Sequence, residues 1–101
     1  MGVIYLTVIN EIEKDALQSL GTYIHPDTVR LDLERRLSGS FVQAVEKNFV
    51  TTCRLDASGY SVRMVPVPGG QARFSLFTDQ TGVVRHTRDG SPAGKNSLEF
   101  R

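Results

Sequence analysis

The chain has 101 residues, 40% of them apolar and 23% charged, a composition that describes one globular domain with a modest core and argues against a disordered chain. Its net charge of +1 gives no overall attraction to polyanions, yet the charge is divided: residues 1–50 carry five Lys or Arg against seven Asp or Glu, and residues 51–101 carry seven against four. Cys53 is the single cysteine, which excludes an intramolecular disulfide and a centre built from clustered thiols.

The first predicted element is a helix. Tyr5, Ile9, Ile12, Ala16 and Leu20 recur at steps of three and four, which aligns them on one face, and Gly21 is placed to end the helix in a left-handed cap. Glu11, Glu13, Lys14 and Asp15 fall mostly off that stripe. The helix starts near Val3 or at Asn10, where Glu13 would complete a capping box; the longer form is preferred. The apolar run Val3–Ile9 is far shorter than the roughly 20 residues that span a bilayer, and no basic leader or cleavage site marks a signal peptide, so the chain as given reads as soluble.

A second helical pattern follows His25-Pro26, with Asp27 or Thr28 as N-cap, and places Val29, Leu33, Leu37, Phe41, Ala44 or Val45, and Asn48 on one face. Ser38-Gly39-Ser40 interrupts it. A mid-helix glycine costs about 1 kcal/mol relative to alanine, and Ser40 with Gln43 offers a new capping box, so a kink or two short helices is expected.

Four strands follow. Val50–Leu55 leads into Asp56-Ala57-Ser58-Gly59; Tyr60, Val62 and Met64 alternate with Ser61, Arg63 and Val65; Phe74 and Leu76 alternate with Arg73 and Ser75; Val84 and His86 flank Arg85. Asp56-Ala57-Ser58-Gly59 and Asp79-Gln80-Thr81-Gly82 both begin with an acceptor for nearby backbone N–H groups and end in glycine, which suits a hairpin built on a type I turn with a following left-handed residue. Two prolines in Pro66–Gly70 remove backbone donors, so that connection bulges into solvent. The predicted fold class is α+β: an N-terminal helix, or two, packed on one face of a four-stranded antiparallel meander. One domain covers residues 1–101, with 1–48 helical, 50–88 in the sheet and 89–101 a loose tail.

With Tyr60, Val62, Phe74 and Leu76 facing the helices, Arg54, Arg63, Arg73 and Arg85 would share the opposite face on four adjacent strands. That is a candidate binding face for an acidic protein or nucleic acid, with Tyr60 or Phe77 as stacking contacts; the alternative is four solvated arginines that keep the sheet soluble. Phe77, out of phase with Phe74 and Leu76, covers the sheet edge or packs under the tail. His25, Cys53 and His86 lie on three different elements without ligand or triad spacing, so no catalytic, cofactor or metal residue is assigned and the chain reads as a non-enzyme. The D-x-S/T-G turns carry one residue too many for the paired carboxylates of an aspartic protease, and Gly69-Gly70 lacks the lysine and helix of a phosphate loop.

The run from Tyr60 to Ala93 resembles the C-terminal sheet of bacterial type IV pilin-like and pseudopilin-like proteins. Tyr60, Val62, Pro66, Gly69, Gly70, Arg73, Phe74, Asp79, Thr81, Gly82, Val83, Val84, Arg85, Gly90, Pro92 and Ala93 carry the likeness over about a third of the chain. The resemblance implies the head of a structural subunit that acts in filament or secretion-pseudopilus assembly, at the cell surface or in the periplasm. Its implied partners are other pilin or pseudopilin subunits. Tyr5–Leu20 would correspond to the lower half of the pilin helix. The family's apolar anchor does not precede Met1: either it has been removed or the chain is an unanchored relative, and any membrane contact would run through that missing helix.

Overall fold

The computed structural model describes residues 2–89 and 91–100; Gly90 of the family-like run, with Met1 and Arg101, lies outside them. Helix α1 (Gly2–Leu20) is followed by a 3-10 turn (Pro26–Val29), α2 (Arg30–Leu37) and α3 (Gly39–Asn48), then strands β1 (Phe49–Asp56), β2 (Gly59–Pro66), β3 (Ser75–Asp79), β4 (Arg85–Thr87) and β5 (Leu98–Glu99). All pairings are antiparallel, in the order β1-β2-β3-β4-β5. The fold is therefore α+β with N-terminal helices against an antiparallel sheet, but the sheet has five strands rather than four. The fifth comes from the segment read as a loose tail, where Leu98 pairs with His86 and Glu99 with Arg85.

The longer α1 forms, and its Tyr5, Ile9, Ile12 and Ala16 stripe is buried as expected. Leu20 is not on that buried stripe: it is 66% exposed at the end of the helix. The core joins α1 to Val29, Leu33, Val42 and Val45 of the shorter helical elements and to Phe49, Tyr60, Val62, Met64 and Leu76 of the sheet. No helix among the described residues is long and apolar enough to cross a membrane.

The second helical region divides at Ser38, which takes φ 102° and whose Oγ accepts from Phe41 N at 3.3 Å. The break is thus capped by Ser38 instead of by a Ser40–Gln43 box. Upstream, the His25 ring takes the capping role expected of Asp27 or Thr28, its Nδ1 accepting from Asp27 N at 3.2 Å.

Both acidic turns form as their chemistry predicts. Asp56 Oδ1 accepts from Ser58 N, Ser58 Oγ and Gly59 N, and Asp79 Oδ1 accepts from Thr81 N at 3.0 Å and Thr81 Oγ1 at 2.5 Å. Gly59 (φ 147°) and Gly82 (φ 77°) close them with positive φ, and a Cβ at Gly59 would also come within 2.6 Å of Gln80 Oε1.

Strand β3 departs from simple alternation, since all five of its residues are buried. Helices cover one face and the C-terminal segment covers the other, so a central strand is enclosed on both sides. Phe77, 4% exposed, is on the outer face with Ser75 and Asp79, beneath that cover. Phe74 precedes the strand instead of alternating within it, and is 38% exposed.

Candidate functional site

Three of the four arginines chosen from the sequence do stand on the outer face of the sheet. The register sets Arg54 opposite Ser61, and Arg63 opposite Phe77, which is in turn opposite Arg85. Arg73 does not join them. The Pro66–Phe74 connection is longer than the alternation suggested, so Arg73 falls in the loop and lines a groove of about 350 Å³ beside Gly2, Phe49 and Leu76 on the helix side.

Two of the three outer-face arginines are engaged within the fold. Arg63 Nε donates to Ala93 O at 2.9 Å while its guanidinium lies 5.8 Å from the Phe77 ring centroid, and Arg85 Nη1 donates to Ser97 O at 3.0 Å. Ala93 is 1% exposed. These side chains tie the C-terminal segment over the sheet. What remains open is a depression of about 300 Å³, where Arg54, Arg63 and Lys95 meet Asp56 and Phe77. The Asp56 carboxyl sits below its usual range because Ser58 and then Gly59 donate to it.

The opposite face carries a polar tie that sequence reasoning missed. Tyr60 donates its hydroxyl to Asn10 Oδ1 at 2.7 Å, Asn10 Nδ2 donates to Thr78 Oγ1 at 2.8 Å, and Thr78 Oγ1 donates to Val83 O at 3.0 Å. Asn10 Nδ2 also reaches Gly82 O at 3.3 Å. This chain joins α1 to β2, β3 and the D-Q-T-G turn. A polar residue on the edge of an otherwise apolar helical stripe was the available signal. Burial, followed by the charge of Glu13, holds the Tyr60 phenol above its usual range.

Glu13 was missed as well. It is fully buried; Oε1 accepts from Ile24 N at 2.9 Å, and Oε2 has no partner among the described residues. Burial raises its pKa, opposed by the Ile24 hydrogen bond and by the field of His25.

Of the residues considered for chemistry, His86 lies apart, while Cys53 and His25 both face Asp27. His86 packs edge-on against Phe100 at 5.1 Å and Phe74 at 6.0 Å, with Nδ1 3.1 Å from Leu98 O. Cys53 is half-buried on β1; burial first, then a hydrogen bond to Asp27, pushes its thiol up to about 12. A carboxylate beside a thiol favours the protonated sulfur, the reverse of what an activated nucleophile needs. His25 faces the same Asp27, at 3.7 Å. Tyr5 completes this corner, its hydroxyl pushed up to about 12 by burial and then by Cys53 and Glu46. No group of three or more potential metal ligands occurs among the described residues. No protein-family model, curated protein or solved structure matches the chain.

Proposed function

We propose that the chain is a structural subunit resembling the soluble head of a type IV pilin or pseudopilin, acting with other such subunits in filament or secretion-pseudopilus assembly. The observation that carries this reading is α1, 19 residues long, which packs one stripe on the antiparallel sheet and leaves Ile4 and Leu17 exposed off that stripe and Leu20 exposed at its end. Apolar residues on an exposed helical surface suit contact with another subunit. The family-like run supports the same reading, because its Asp79-Gln80-Thr81-Gly82 turn is tied to α1 through Asn10. On this reading the chain performs no turnover, takes no cofactor, and works at the cell surface or in the periplasm. Deleting the coding gene from its source cell should remove surface filaments or a secreted protein fraction. Retention of both would contradict the proposal.

A second reading has one observation in its favour. Arg54, Arg63 and Lys95 converge on the outer-face depression above Phe77, an arrangement suited to an acidic protein or nucleic acid. A single-stranded oligonucleotide should then bind with an affinity that falls steeply with salt and is lost on Arg54→Ala with Lys95→Ala. Affinity indifferent to salt and to both substitutions would exclude it.

A further inference from the structure

Strand β1 is the outermost strand on its side of the sheet, and it is eight residues long with no proline before Asp56. Alternate N–H and C=O groups of an edge strand point away from its neighbour. Among the described residues no backbone hydrogen bond from another element covers that side of β1. Val50, Thr51 and Thr52 are β-branched and exposed, and Val50 is 56% exposed. The opposite edge, β5, has only two residues. Long uncovered edges invite another strand, whereas very short ones do not.

Beside β1, between the sheet and the helices, lies a notch of about 200 Å³. Thr51 and Cys53 of β1 form one wall, and Tyr5, Asp27, Arg30 and Glu46 form the others. Tyr5 is only 8% exposed, and its hydroxyl has no hydrogen-bond partner among the described residues. The charged groups that act on that hydroxyl, Glu46, Arg30 and Asp27, all line the notch. Arg30 is held by Glu34 and, at 3.0 Å, by Glu46, so one guanidinium faces two carboxylates, while Asp27 is engaged by the neutral Cys53 thiol. Asp27 has no Lys or Arg within ion-pair distance among the described residues; His25 lies 3.7 Å away. The surroundings are net negative, and they offer oxygen acceptors at Tyr5, Asp27 and Thr51.

We propose that β1 and this notch form one docking surface for an extended segment of a partner protein, which adds to the sheet along β1 and places a lysine side chain in the notch. Main-chain hydrogen bonds to the edge supply affinity without sequence preference, and the pocket for an alternate side chain supplies specificity. An ammonium group carries three donors and no acceptor, which matches a carboxylate, a phenolic oxygen and a threonine hydroxyl. The docking surface does not depend on the subunit role proposed above and can stand or fall separately.

The test uses an acetylated and amidated pentapeptide, threonine-valine-lysine-valine-threonine, and its analogue with norleucine in place of lysine, titrated into the full chain and followed by nuclear magnetic resonance. The lysine peptide should perturb and slow the exchange of the Val50–Leu55 amides and bind about tenfold tighter than the norleucine peptide. Tyr5→Phe and Asp27→Asn, the second at an exposed position, should each remove most of that preference while the norleucine peptide binds as before. Equal affinity for the two peptides, perturbation that maps away from β1, or no perturbation at about 10 mM peptide would overturn the proposal. Protection of β1 that rises with protein concentration in the absence of peptide would assign the edge to a second copy and would also overturn it.

Discussion

Glu13 occupies a position that a tally of charged residues assigns to the surface, although it lies four residues after Ile9 and three before Ala16 and so shares their side of α1. Its buried Oε1 pins Ile24, and its Oε2 is left without a partner. The carboxyl is therefore easier to protonate in the folded chain than its ordinary value of 4.5 implies. Between that value and the raised one the folded state binds more protons than the unfolded state, so stability conferred by protonation is complete below 4.5 and is lost as pH rises through the folded value. Glu13→Gln keeps an acceptor for Ile24 N and removes the charge. It should stabilise the protein by about 1 kcal/mol at pH 7 and by little at pH 4, as read from urea unfolding at the two pH values. A variant less stable than the parent at pH 7 would show that the buried charge has a favourable partner.

Two of the polar ties between elements are legible in the sequence to different degrees. The first is the Tyr60–Asn10–Thr78 chain between α1 and the sheet. Asn10→Ala leaves the buried Tyr60 phenol without its acceptor and Thr78 without the amide that donates to it, and should lower unfolding free energy by about 2 kcal/mol with no change in circular dichroism. The second is the C-terminal segment, clasped by Arg63 and Arg85 over Phe77. Removing residues 91–101 should cost at least about 3 kcal/mol in urea unfolding, because it uncovers the Phe77 ring and removes the Arg63 and Arg85 hydrogen bonds together with the β4–β5 pairing; an unchanged midpoint would show that the segment rests on the sheet without stabilising it.

The strand alternation of β2 and the two acidic turns follow from local chemistry, as do the α1 stripe and the division of the second helical region. Local rules stop where long-range cover decides. Gly, Pro and Asn gave residues 89–101 the look of a loose tail, while β5 forms by pairing with β4 across intervening residues and leaves Leu98 75% exposed, so no local apolar pattern announces it. The arginine stripe failed in the same way at Arg73. Its placement assumed that β3 begins there, whereas the loop after Pro66 is anchored by Val67 N to Asn48 O and by Gln71 N to Asn48 Oδ1, which delays the strand to Ser75.

At the scale of the whole molecule, residues 1–50 and 51–101 carry opposite excesses of charge, and both sheet faces over β3 are covered. Open surfaces nonetheless include the edge of β1, the groove by Gly2 and Arg73, the outer-face depression by Arg54 and Lys95, exposed Ile4 and Leu17 on α1 and Leu20 at its end.

The central proposal, assembly through α1, is tested most directly by cross-linking in the source cell with Cys53→Ser chains that carry Ile4→Cys and Leu17→Cys. Oxidation should produce a ladder of dimers, trimers and higher multimers, because each subunit offers two points of contact on one helix. Monomer alone, or a dimer with nothing beyond it, would contradict the account.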